Sequence, residues 1–205
     1  FENFFGVKFC DKVDFGNLPL LENEKNKNKI FLKKRKYLFR RSLKIDEDCE
    51  KIKKLVDGIS EDEELLILSN SFDSPNIIIS FKDEIEEIFI GTWAVTPAGI
   101  TAISEMSNLK GGVVLMDKTH SYKWIFASGA YEFLADKVQF KFTANHSKFL
   151  AIKMRDGSCL NFIGSMNLSN NPRYENIIIN KRREDYEFLS DFVQNVRGER
   201  MNGKA

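Results

Sequence analysis

The chain has 205 residues, 42% of them hydrophobic and 18 of them phenylalanine, which is enough apolar mass for one substantial core in a soluble globular protein. A formal net charge of +1 excludes recognition of a partner by overall charge, so any electrostatic partner must be met by a local patch. Cys10, Cys49 and Cys159 are odd in number and form no C-x-x-C pair, which argues against a disulfide scaffold or a zinc site and for a reducing, cytoplasmic setting. Apolar runs such as residues 77–79 and 88–90 fall far short of the ~20 residues of a membrane span, so no stable membrane insertion is expected. The opening at Phe1 rather than Met leaves room for residues upstream.

Residues 1–24 carry Phe1, Phe4, Phe5, Phe9 and Phe15, broken by Gly6, Gly16 and Pro19, and read as an irregular or short-stranded arm. From Lys25 to Lys44 there are ten cations and no acid, interleaved with Ile30, Phe31, Tyr37, Leu38 and Phe39, which predicts a basic strand or hairpin. Asp46, Glu47 and Asp48 supply N-terminal charge for a short helix through Ile52, Leu55 and Val56 that stops at Gly58. A buried strand is predicted over residues 65–68, and Asp73-Ser74-Pro75 opens a helix running toward Glu86.

The second half alternates strand and helix: strands over 88–95, 113–116 and 138–142, helices over 97–106 and 128–136. That alternation predicts an α/β layered domain. Residues 149–154 and 158–163 then flank Arg155-Asp156-Gly157, whose Asp-Gly pair suits a tight hairpin turn and brings His146 and Gly164 to the same end. A short strand at 177–179 and an amphipathic helix over 186–196, with Tyr186, Leu189, Phe192, Val193 and Val196 inward, complete the chain. The division expected is an N-terminal arm and basic/acidic extension over 1–64 and a catalytic domain over 65–205.

The chemistry-bearing residues gather around that hairpin. His146-Ser147-Lys148, Gly164-Ser165-Met166-Asn167 and Arg173-Tyr174-Glu175 together supply a nucleophile, a cation for phosphate, hydroxyl and amide donors, and a carboxylate. Singly, a His-x-Lys is a surface pair and a Gly-Ser-x-Asn is a turn; their order and their connection through a hairpin give them weight.

His146-x-Lys148, the hairpin, Gly164-Ser165-x-Asn167 and the downstream Glu175-Asn176 resemble the phospholipase D superfamily, in particular its small single-motif, nuclease-like members. The resemblance runs from Glu86 to Arg182 and includes residues 88–93 as the strand that opens the domain. It implies an α/β fold with a mixed β-sheet flanked by helices, here with an N-terminal extension. It also implies metal-independent phosphodiester hydrolysis through a covalent phosphohistidine, with no cofactor. His146 would attack phosphorus, Lys148 and Asn167 would hold nonbridging oxygens, Ser165 would orient the cradle, and Glu175 would bond the other imidazole nitrogen. The pattern departs from the family at Lys153, where an aspartate of structural or secondary role is usual, and the hairpin is longer.

The family builds its site from two facing His-x-Lys motifs. One motif here implies a homodimer. His120, in Thr119-His120-Ser121, lacks the following lysine and reads as a loop residue. The cations Lys33, Lys34, Arg35, Lys36, Arg40 and Arg41 could neutralise a nucleic-acid backbone, or form a solvated face balanced by the acids of 46–64. Trp93 and Trp124 read as core or site-wall residues, and Arg173 as either a substrate contact or an ion-pair partner. DNA is the expected substrate and an endonuclease the expected activity. Two alternatives stay open: a phospholipase or phosphatidyl transferase, and a catalytically inactive nucleic-acid-binding or assembly module.

Overall fold

The computed structural model describes residues 30–34, 39–43, 49–69, 73–119, 129–170 and 173–198. Among them, nine strands form one mixed sheet in the order β2-β1-β3-β9-β8-β7-β4-β5-β6. The strands are β1 (Ile30–Lys34), β2 (Phe39–Leu43), β3 (Leu65–Ser69), β4 (Ile85–Thr92), β5 (Gly111–Asp117), β6 (Gln139–Thr143), β7 (Phe149–Met154), β8 (Cys159–Gly164) and β9 (Glu175–Asn180). Strands β4, β5 and β6 run parallel, as strand-helix-strand alternation requires, while β7, β8 and β9 add as antiparallel neighbours. Consecutive residues of the central strands are buried on both sides, Ile88, Phe89 and Ile90 among them, because helices cover both faces.

One face carries α1 (Cys49–Asp57), α2 (Ser74–Phe81), α3 (Pro97–Ser104) and α4 (Ala130–Leu134) over the larger core, which includes Ile77, Ile88, Ile103 and Phe162. The other carries α5 (Arg183–Asn195) over a smaller cluster of Phe89, Leu115, Phe149, Ala151, Tyr186, Leu189 and Val193. Phe192 lies at the rim of this packing, 40% exposed with its ring 6.3 Å from Phe149, rather than inside as the helical spacing suggested. Two buried or half-buried ionisable groups fasten α5. Lys141 donates to the terminal carbonyls of Val193 and Gln194, where a helix presents unsatisfied acceptors and negative dipole. Glu87 accepts from Tyr186 Oη at 2.7 Å and from Lys153 Nζ at 3.0 Å, and these bonds, Tyr186 first, hold its carboxyl below the usual range.

Helix α2 is capped by Asp73, whose carboxylate accepts from Asn76 N at 2.9 Å, but it ends at Phe81 and not near Glu86. Residues 82–84 turn, and Ile85 begins β4 because it must pack in the core, fully buried, opposite Met154. The Asp156-Gly157 turn joins β7 and β8 as expected, with Gly157 at φ 84°, a conformation natural to glycine. The basic hairpin also forms: β1 and β2 pair antiparallel, and β1 pairs with β3. Ile52, Val56 and Ile59 belong to the larger core, so sheet and core both continue across residue 64. No helix among the described residues is long and apolar enough to cross a membrane. The arm over 1–24 lies outside the described residues.

Candidate functional site

Strands β4, β5, β6 and β8 all end, and β7 and β9 begin, along one edge of the sheet. This is the end at which open α/β sheets place their ligands. Residues 144–148 must pass from β6 to β7, which are separated by β5 and β4, so the segment crosses the carboxyl ends of those two strands. It passes close. A Cβ at Gly91 would lie 2.7 Å from Ser147 Oγ and 2.5 Å from the Phe149 ring, so glycine is what lets the segment settle on β4.

His146 is exposed at the crest of this crossing. Its ring stands 5.7 Å from that of Trp93, tilted by 54°, and half-buried Trp93 forms the wall of the site. Lys148 turns back beneath it. Its Nζ lies 3.0 Å from His146 O, 3.3 Å from Nδ1 and 3.5 Å from Nε2. Burial depresses the Lys148 pKa, an effect opposed by the negative charge of Glu175. The cation is therefore partly stripped of water.

The β8 end is drawn against this loop by a bond from Gly164 N to Lys148 O of 3.1 Å. No side chain fits at Gly164, where a Cβ would fall 1.9 Å from Asn176 O. Ser165 N donates to the same carbonyl at 3.0 Å, Ser165 Oγ accepts from Asn176 N at 3.0 Å, and the hydroxyl donates to buried Glu175. Asn167 Oδ1 accepts from the N–H groups of Trp93 and Ala94 at 3.2 and 3.3 Å, which fixes the amide and leaves its Nδ2 hydrogens to offer. Leu168 N reaches Thr92 Oγ1 at 2.9 Å and tethers the Asn167 loop to the end of β4.

His146, Lys148, Ser165, Asn167 and Glu175 thus lie along one end of the sheet. The Glu175 carboxylate accepts from the Ser165 hydroxyl, and Lys148 Nζ lies within reach of both imidazole nitrogens. Lys153 stands five residues along β7 from Lys148, about 17 Å away, in an ion pair with Glu87. Lys153 is therefore an anchor at the far end of the strand. Arg173 and Tyr174 are exposed just before Glu175.

The basic hairpin is a flank of the sheet rather than a rim of this site. β1 and β2 lie two and three strands beyond β9, about 10 and 14 Å to the side. Ser69, opposite both Glu175 and Ile30, marks their site end, so Lys34 and Phe39 lie at the other end. Lys33 stands directly opposite Arg40, and Leu32 opposite Arg41. Arg35, Lys36, His120 and Trp124 lie outside the described residues.

Three residues that sequence reasoning passed over hold the site together. Asn145 and Asp117 are buried polar groups and Thr92 is fully buried, all bonded to the loops just described. The only signal available was an Asn immediately before the histidine. Among the described residues, no group of three or more His, Cys, Asp and Glu could hold a metal ion.

The sequence matches no protein-family model and no curated protein. Solved structures with a similar backbone include a phospholipase D family member, Nuc, from Salmonella typhimurium, with a TM-score of 0.46 and 15% identity over 61% of this chain and 90% of that one. Others are the yeast tyrosyl-DNA phosphodiesterase, with a TM-score of 0.36 and 11% identity over 47% of this chain and 25% of that one, and TrmBL2, an archaeal chromatin protein, with 0.48 and 12% over 74% and 59%.

Proposed function

We propose that the chain is a phospholipase D-type phosphodiesterase, an endonuclease acting on DNA in the cytoplasm, whose site is completed by a second copy of itself. The observation that carries the reading is the contact of Lys148 Nζ with the His146 ring, beside the Ser165–Glu175 pair. An imidazole nitrogen attacks phosphorus, the bond to the leaving oxygen breaks, and that oxygen takes a proton from the partner copy's histidine. Water then attacks the phosphohistidine, gives its proton back to the partner's histidine, and releases His146. Lys148 and the Asn167 amide stabilise the charge gathering on the nonbridging oxygens. Ser165 and Glu175 hold the β8 and β9 ends in place.

A polyanion suits the ten cations and no acid between Lys25 and Lys44, part of which runs in β1 and β2 on the flank of the sheet. The assay that tests the reading is incubation with plasmid, single-stranded DNA, RNA and phospholipid vesicles in excess EDTA. Expected is cleavage of DNA that persists in chelator, since every catalytic group is an organic side chain. Headgroup release without DNA cleavage would establish the lipid alternative, and binding without cleavage the inactive module. Complete loss under EDTA, restored by metal, would overturn the mechanism.

A second expectation concerns the flank. Reversing Lys33, Lys34, Arg35 and Lys36 to glutamate should weaken DNA binding and flatten its salt dependence by about 0.9 in logarithmic slope for each phosphate that is no longer neutralised. A binding curve that is unchanged across salt concentrations would assign these cations to a solvated face.

A further inference from the structure

The His146 ring is exposed, so its position is set by the backbone on either side of it, and that backbone is held from below by two buried polar residues. We propose that Asp117 and Asn145 form a clamp that fixes the His146 imidazole, making both of them positioning residues for the phosphodiester chemistry. This rests on the role proposed for His146 above.

Asn145 is 6% exposed and Asp117 8%. Asp117 divides its two oxygens. Oδ2 accepts from Asn145 N at 3.2 Å, and Oδ1 accepts from Thr119 N at 2.8 Å and from the Thr119 hydroxyl. One carboxylate therefore holds both the segment leaving β5 and the segment carrying His146. Asn145 uses its side chain at both ends. Oδ1 accepts from Ser147 N at 3.1 Å and Ser147 Oγ at 2.6 Å, which closes the chain around His146. Nδ2 donates to Thr92 O at 3.0 Å and Leu115 O at 3.3 Å.

An asparagine bonding the N–H two residues on is ordinary turn chemistry. The reach of Nδ2 is not. Thr92 and Leu115 belong to β4 and β5, the two strands that the 144–148 segment has to cross, and Asn145 bonds a carbonyl on each as it passes. Thr92 extends the same framework to the other half of the site, because its hydroxyl accepts from Leu168 N beside Asn167.

Phosphoryl transfer to an imidazole needs the attacking nitrogen in line with the leaving oxygen, and a displacement of about 1 Å can cost about 100-fold in rate. The test uses the full chain and bis(4-nitrophenyl) phosphate, a small diester that bypasses the basic flank. Asp117→Asn, Asn145→Asp and Asn145→Ala are compared for kcat, KM, melting, and the imidazole signals in an NMR spectrum. With two histidines in the chain, His120→Ala identifies which signal is His146.

Expected is a fall in kcat of about 100-fold for Asp117→Asn and Asn145→Ala, with KM changed less than about twofold. Asn145→Asp, which keeps the Ser147 acceptor and loses the Nδ2 bonds to Thr92 O, Leu115 O and Ser147 O, should fall between these and the parent. In each folded variant the His146 signal should shift or broaden. A cooperatively melting variant with parental kcat, or one with an unmoved His146 signal, overturns the proposal. If Asn145→Ala fails to fold, the other two variants decide. Should the parent chain turn over no phosphodiester at all, the catalytic reading fails, while the movement or immobility of the His146 signal still judges the clamp.

Discussion

His146→Ala should abolish turnover, by roughly four orders of magnitude or more, while leaving the melting behaviour unchanged. The expected size follows from the covalent chemistry proposed above: without the imidazole no phosphoenzyme would form, and neither Lys148 nor Asn167 would replace an attacking nitrogen. The insensitivity of the fold follows from position. His146 is exposed, its side-chain contacts are with Lys148 and the Trp93 ring, and the loop is held by the side chain of Asn145 instead. Surface changes of this kind typically alter stability by less than about 0.5 kcal/mol. Turnover and thermal melting measured on one preparation check both halves. Full activity in the variant removes His146 as nucleophile; a large loss of stability removes it as a residue free of structural duty.

Mixing the parent chain with His146→Ala chains should give heterodimers that cannot complete a normal catalytic cycle. The chain's other histidine, His120, lies outside the described residues and has no lysine two positions on, so under the proposed mechanism the imidazole that protonates the leaving group would come from another copy. An isologous pairing about a two-fold axis would bring the two crests face to face. With equal amounts of each chain and free exchange, about half of the dimers are mixed, and activity should fall toward one quarter instead of one half. Sedimentation at assay concentration should find a dimer. A fully active monomer, above all one silenced by His120→Ala, overturns the arrangement and makes His120 the missing acid.

Much of this protein is written in local pattern. Helix α2 starts where Asp73 and Pro75 announce it, the β7–β8 turn falls on Asp156-Gly157, and the central strands lie where the short apolar runs are. Capping, turn geometry and periodicity act over a few residues, so the chain states them directly. The same locality brought His146 and Gly164 to one end, because a tight hairpin leaves its two outer ends adjacent.

Strand order is a different kind of fact. That 144–148 crosses β5 and β4 depends on β6 and β7 being three places apart in the sheet, which the packing of helices on both faces decides. Hence Asn145 and Asp117, twenty-eight positions apart in the chain and bonded in the fold, carried no readable sign. The partner of Glu175 was undecidable for the same reason, since Ser165 reaches it only because β8 ends where β9 begins. Which residues could do chemistry was determined by the sequence; which groups hold them in place was decided by the order in which nine strands came together.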